Sequence, residues 1–473
     1  MLRAIIPDDV EMKAVTTTQV SKAGTNGHRV ASEALPAAVR PAIPVGAASD
    51  LLIVDCDIHF TPDPKAIERR LPQPWRSRWE SGSRGAGGSG YWNPNGVIRR
   101  DTRLPDGRYI DTDPHAMAEH HLDRNGITYG MLNLASFTFA VTPESDWGAA
   151  IASATNDTII EDWLPVDPRY RVSMLVSPVD PVLAAKEIRR VGRTPGVVQV
   201  LMPSATPMAL GRRFFDPIYE AASELGLPVA VHPGFEGVGV SLQATAVGQP
   251  GSYLEWHTSL SGTFQAHLVS LLAEGTFQRH PDLKFVLVEG GVAWLPTLLW
   301  RLDKNWRALR MTAPWLDRPP SEIAADHVRL TTQPIEESPN PDHVRQIMRM
   351  FPAERMAMFS SDFPHWDGDT PDFTAASFPP EVRHQVMGLT ACDLYHLDPT
   401  VTVRAPVPAP VSITGKPAGA VSTDALRGGY ECPRTPPAHP RGGNGGRSCH
   451  WPTCLREPGA SCARDRSPLG CST

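Results

Sequence analysis

An α/β fold, a (β/α)8 barrel, is what this sequence predicts, and three observations predict it. Short apolar, β-rich runs alternate with helical patterns from residue 51 to 398. Eight such runs can be counted, enough to close a barrel. Four of them end on an acid or a histidine: Leu51–His59, Pro228–Pro233, Lys284–Gly291 and Met356–Phe363. The C-terminal ends of the strands are where a parallel barrel carries its chemistry.

The strands are expected at 51–57, 127–133, 171–176, 196–201, 228–232, 284–289, 328–332 and 355–360. Helical patterns fill 114–125, 144–163, 180–192, 214–225, 260–280, 294–310 and 340–350. Asp180-Pro181 and Pro341 mark helix starts, because proline has no N–H to leave unsatisfied in the first turn. A doubly wound open sheet is the competing architecture. It would more often show a glycine-rich phosphate loop after its first strand, and none follows here. Two insertions break the regular spacing. Residues 60–112 carry Trp75, Trp79, the Ser81–Gly90 stretch and Tyr91-Trp92, and residues 233–259 carry Glu236, Tyr253, Glu255, Trp256 and His257. Both follow strands, so they would either overhang the barrel mouth as lids or decorate the surface.

Composition bounds the function. The chain has 473 residues, 41% hydrophobic, with a formal net charge of -6. That balance offers no basic footprint for nucleic acid. No run approaches the ~20 apolar residues of a membrane span. The opening residues are too charged and their apolar stretch too short for a secretory signal. A cytoplasmic enzyme with a small-molecule substrate is therefore expected, with neither nucleic acid nor membrane as partner, and assembled as a homo-oligomer. Residues 1–50 are expected to be a disordered leader. Residues 399–473, dense in Pro, Gly, Arg and Ser, are expected to be a disordered tail, since they cannot bury enough apolar surface to offset ordering. Five of the seven cysteines crowd that tail without a paired Cys-x-x-Cys.

The strand-end residues carry the functional argument. Asp57 and His59 are two apart on a strand, so period-two alternation puts both side chains on one face. His232 closes a clean apolar run, and Asp362 follows another. Taken singly, each has a bland explanation, such as a buried structural histidine or a helix-capping aspartate. Together they make a mixed N/O donor set suited to a divalent cation: Zn first, with Mn or Fe if more oxygen donors join.

These motifs resemble the amidohydrolase superfamily. The closer likeness is to its branch of metal-dependent hydrolases and decarboxylases, such as aminocarboxymuconate semialdehyde decarboxylase. The resemblance rests on Asp57-x-His59, His232 and Ser361-Asp362-Phe363-Pro364. It implies a distorted TIM barrel over residues 51–398 and metal-ligand roles for Asp57, His59, His232 and Asp362. Two positions depart from the family pattern. The first motif is Asp-x-His where His-x-His is common, and Glu289 stands where the decarboxylases usually carry a histidine. A glutamate keeps the capacity to move a proton or hold a metal.

The expected function is a hydrolase or a non-oxidative decarboxylase acting on a small carboxylated or cyclic organic acid. Glu289, His257 and Asp362 are the candidate catalytic groups. A mono- or dinuclear Fe/Mn oxygenase and a non-catalytic barrel subunit are the alternatives. His365 and Asp367 are candidates for supporting the metal, and Glu336 and Glu337 for touching substrate. His267 and His280 are expected to be structural. His115, His120 and His121 are expected on a solvated helix face.

Overall fold

The computed structural model describes Ala48 and residues 50–82, 90–93 and 95–401. The expected leader and the tail with its five cysteines lie almost entirely outside the described residues.

Eight strands form one parallel sheet in sequence order: β1 (Val54–Phe60), β2 (Tyr129–Leu134), β3 (Tyr170–Leu175), β4 (Val197–Pro203), β5 (Val229–His232), β6 (Phe285–Leu287), β7 (Val328–Thr331) and β8 (Ala357–Met358). Helices lie between successive strands, and the strands read as nearly continuous apolar runs because both faces are covered. The barrel is closed by backbone bonds from β1 to the residues just past β8. Cys56 N donates to Phe359 O, His59 N to Phe363 O and Asp362 N to Asp57 O. The last strand is therefore short only as a regular ladder, and its continuation carries Asp362 against β1.

Local chemistry sets the element boundaries. Asp180 accepts from Val182 N and Leu183 N, and Pro181 opens the helix Pro181–Val191. Asn340 and Pro341 do the same for Pro341–Met348. In β1 the pairing with β2 slips by one residue between Asp55 and Ile58. This bulge separates two acids only two residues apart in sequence. Asp55 meets His121 of the following helix, whereas Asp57 joins the cluster inside the barrel. Gly130 on β2 is needed beside the bulge, because a Cβ there would sit 2.6 Å from Ile58 Cδ1.

The two insertions hold short helices. Pro64–Arg70 and Trp75–Glu80 follow β1, and Tyr253–Thr258 follows β5. No helix among the described residues is long and apolar enough to cross a membrane.

Candidate metal centre

Strand ends bring five donors to one point. Asp57 and His59 come from β1, His232 from the end of β5, Glu289 from just past β6 and Asp362 from beyond β8. One ligand atom from each lies within 4.8 Å of all the others, and all five residues are buried. His59 Nε2 is 2.9 Å from Asp362 Oδ1, and His232 Nε2 is 2.7 Å from Glu289 Oε2. Asp57 stands 3.5 Å from each of the two imidazoles.

The far sides of three of the donors are tied down. Asn133 Nδ2 donates to Asp57 Oδ1 at 2.7 Å, and Gln333 Nε2 donates to Asp362 Oδ2 at 3.0 Å. His232 Nδ1 meets Pro233 O at 2.7 Å, which fixes the proton there and leaves the Nε2 lone pair facing inward. The inward atoms are the ones left without a directed hydrogen bond: Asp57 Oδ2, His59 Nε2, His232 Nε2 and Asp362 Oδ1. Buried polar atoms are seldom orphaned, so four facing one another call for a cation among them. Two nitrogens and three carboxylates suit a divalent ion of borderline hardness, and the residues fit one.

Charge makes the same point. No lysine or arginine among the described residues pairs with the three carboxylates. Burial pushes Asp362 well above the usual carboxylate range, with Glu289, Asp367 and Asp57 adding to it. Burial also raises Glu289, against the opposing pull of His232. Burial lowers His59 to about 4, although Asp57 opposes this. Against the opposing effect of burial, His59 and His232 hold Asp57 low, and Glu289 and Asp57 push His232 well up, so one imidazolium answers three carboxylates; a divalent ion would let all three ionise.

Glu289 and Asp362 share a further feature. Their backbone φ angles are 62° and 57°, two of only four positive values at non-glycine positions among the described residues. Such left-handed turns are costly for residues with a side chain and recur at functional sites. Thr331 Oγ1 accepts from Glu289 N at 2.9 Å and holds that turn in place.

The mouth above the cluster is aromatic. His365 stacks on His59 with centroids 4.1 Å apart, and its Nδ1 lies 2.7 Å from Asp362 Oδ1. His257, on the helix Tyr253–Thr258, is outside the five-donor group. Its Nε2 is 3.3 Å from Asp367 Oδ2, and it packs against Tyr253 and Trp366. The Gln333 side chain touches both Asp367 and Asp362, so it links His257 to the centre.

Other sequence expectations fare unevenly. His267 and His280 are buried and hydrogen-bonded in structural roles. Glu336 does not reach toward a substrate: it accepts from Val292 N and Ala293 N and ties down the turn after Glu289. His121 is not solvated. It is buried, with Nε2 2.7 Å from Asp55 Oδ2, because the bulge in β1 turns Asp55 toward its helix. Asn133 and Gln333 are site residues that sequence reasoning does not single out. The available signal is an amide at a strand's C-terminal end, which is weak without a partner to place beside it.

The family model described as "Amidohydrolase" matches residues 54–397. Among curated proteins, the gamma-resorcylate decarboxylase of Rhodococcus jostii is 26% identical over 217 residues, covering 42% of this chain and 60% of that protein. A decarboxylase of Emericella nidulans is 28% identical over 227 residues, covering 43% and 62%. The chain thus spans about three fifths of the length of these curated relatives. Among solved structures, a manganese-bound 5-carboxyvanillate decarboxylase from Novosphingobium aromaticivorans superposes with a TM-score of 0.55 at 20% identity, over 75% of this chain and all of that one. A manganese-bound dihydroxybenzoic acid decarboxylase from Polaromonas gives 0.52 at 19% identity, over 73% and 97%. These structural likenesses establish the barrel, and the family match over most of the folded chain establishes its kinship: the chain belongs to the amidohydrolase family.

Proposed function

We propose that this barrel is a metal-dependent carboxy-lyase that removes carbon dioxide from a small hydroxylated aromatic acid without an oxidant. The observation that carries this reading is the convergence of four buried, inward-facing donor atoms, three of them on residues whose outer atoms are hydrogen-bonded. The curated relatives named as decarboxylases support the reaction class. Asp57, His59, His232 and Asp362 hold one divalent ion. When bound, that ion supplies a Lewis acid that anchors and polarises the oxygens of the substrate. Manganese is the better assignment, in place of the zinc that the sequence ranks first. Solved relatives carry manganese, and two carboxylates beside two imidazoles accept it.

The protein's own groups manage position and protons. Breaking the bond between ring and carboxylate leaves an electron pair on the ring carbon, and that carbon must take up a proton. Glu289 is the group we assign to deliver it, because it stands at the rim of the donor cluster and burial favours its protonated form. His257, poised by Asp367 at the mouth, restores that proton from solvent. His365 and Phe137 pack over His59 and His232 and keep bulk water from the inner atoms.

A panel of hydroxybenzoic acids tests the reading, with carbon dioxide release and metal content measured on the same preparation. Expected are stoichiometric carbon dioxide, one manganese per chain and, in D2O, deuterium at the vacated ring position. Ester, amide or lactone cleavage without carbon dioxide would instead make the protein a hydrolase. Oxygen consumption with bound iron would make it an oxygenase. A metal-free protein without turnover would make it a non-catalytic barrel.

A further inference from the structure

Tyr253 is the first residue of the helix at the mouth, and the proton of its hydroxyl is left over. Trp366 Nε1 lies 3.3 Å from Tyr253 Oη. An indole nitrogen can only donate, so the tyrosine oxygen accepts and its own proton stays free. No oxygen or nitrogen among the described residues takes that proton. Burial pushes Tyr253 up to about 12 against the pull of the Trp366 N–H, and Asp367 and Glu289 add to the rise, so near neutral pH the group is a donor. Beside it, Trp256 Nε1 is buried and likewise lacks an acceptor among the described residues, with the two ring centroids 5.5 Å apart. Two spare donors therefore stand together on one short helix.

A chain of contacts ties them to the metal centre. The Tyr253 ring stacks on His257 with centroids 5.5 Å apart, His257 Nε2 is 3.3 Å from Asp367 Oδ2, and the Gln333 amide touches both Asp367 and Asp362. Trp366 packs against both Tyr253 and His257, and its backbone N donates to Val97 O in the first insertion. Tyr253, His257 and Trp366 thus give the rim flat faces that suit an aromatic ring. The carboxylates nearby matter as much. Asp367 and Glu289 both act on Tyr253, and no lysine or arginine among the described residues contacts Tyr253 or Trp256. A second carboxylate on a bound ring would be repelled here without a counter-ion, whereas an uncharged oxygen would accept the waiting hydrogen bonds.

We propose that Tyr253, assisted by Trp256, reads an uncharged oxygen substituent on the edge of the substrate ring that points away from the metal. This rests on the carboxy-lyase reading of the centre and narrows its substrate to a hydroxybenzoic acid with a further neutral oxygen, a hydroxyl or an ether, remote from the carboxylate.

The test measures equilibrium binding and carbon dioxide release on the manganese-loaded, full-length protein and on its Tyr253→Phe variant, which loses the hydroxyl and keeps the ring. The probes are 2-hydroxybenzoate, its 4-hydroxy and 5-hydroxy derivatives, and its 4-carboxy derivative. The wild type is expected to bind one of the dihydroxy acids roughly tenfold tighter than the parent acid, and the dicarboxylate no tighter than the parent. Tyr253→Phe is expected to erase that preference while leaving the affinity for the parent acid unchanged. Leu254→Ala alters an exposed side chain next to Tyr253 on the same helix and should keep the wild-type preference. Four results would each overturn the proposal: no binding of any probe to the wild type, no preference among them, a preference that survives in Tyr253→Phe, or equal weakening of all probes by that variant. Loss of the preference in Tyr253→Phe without carbon dioxide from any probe would overturn the carboxy-lyase reading alone, with the contact at Tyr253 upheld.

Discussion

Glu289→Gln separates the chemistry assigned to this residue from a merely structural role. Glutamine is nearly isosteric, so the left-handed turn and the Thr331 Oγ1 bond to the backbone survive. The amide cannot give or take a proton at neutral pH. Loss of a general acid costs roughly 100-fold or more in turnover, about 2.7 kcal/mol of barrier. Four of the five donors remain, and the substitution replaces the carboxyl that stands 2.7 Å from His232 with an amide of nearly the same shape. Metal occupancy should therefore persist at saturating manganese. Each tenfold loss of metal affinity removes about 1.4 kcal/mol of metal-linked stability. For a domain of roughly 350 residues, at about 2.1 cal/mol/K of unfolding entropy per residue, that is a shift of about 2 °C in Tm. The assay pairs single-turnover rates with melting curves taken with manganese and with chelator. Expected is a turnover loss of roughly 100-fold with a metal-dependent Tm increment reduced by no more than about 4 °C. Wild-type turnover with an unchanged pH profile would refute the reasoning. Loss of metal and turnover together would make Glu289 a ligand first, and would move the proton-transfer role to His257.

Four further outcomes are expected. His232→Ala should lose most bound metal by elemental analysis, because it deletes one of only two imidazole donors; full occupancy would remove His232 from the set. Asn133→Leu and Gln333→Leu should each weaken manganese binding by roughly 10- to 100-fold, the usual cost of losing a group that orients a ligand, and unchanged affinity in titrations would count against the site as drawn. His267 is held to about 4 by burial, with its Nδ1 accepting from Leu210 N and its Nε2 bonded to Ser204 O. Its folded pKa lies below the unfolded value near 6.5, so stability should fall as pH drops from about 6.5 to 4, by up to roughly 3 kcal/mol, and His267→Gln should flatten that limb in denaturant melts. Removing residues 402–473 should leave Tm within about 2 °C, since the eight strands and five donors all precede them; a drop equivalent to several kcal/mol would mean that the tail packs on the barrel.

Local pattern was enough to predict the barrel and most of the candidate metal site. Strand identity follows from short apolar runs, and facing follows from a period of two. Asp57-x-His59 could therefore be placed on one face, and His232 and Asp362 at strand ends, without any knowledge of what lies opposite. Helix starts at Asp180-Pro181 and Asn340-Pro341 were likewise fixed by side chains within three residues of the cap. Tertiary structure alone decided the rest, because the deciding interactions join residues far apart in the chain. Closure runs through Phe359, Asp362 and Phe363 against β1, some 300 residues earlier. Asn133 and Gln333 matter only because the barrel sets them beside Asp57 and Asp362. A one-residue slip in β1 sent Asp55 outward to bury His121, while Asp57 two positions on turned inward. Glu289 and Asp362 face the centre through left-handed turns, a conformation that sequence disfavours for any residue other than glycine. Periodicity says which face a side chain takes, but only the packed fold supplies the neighbours that make a strained turn or a buried charge worth keeping.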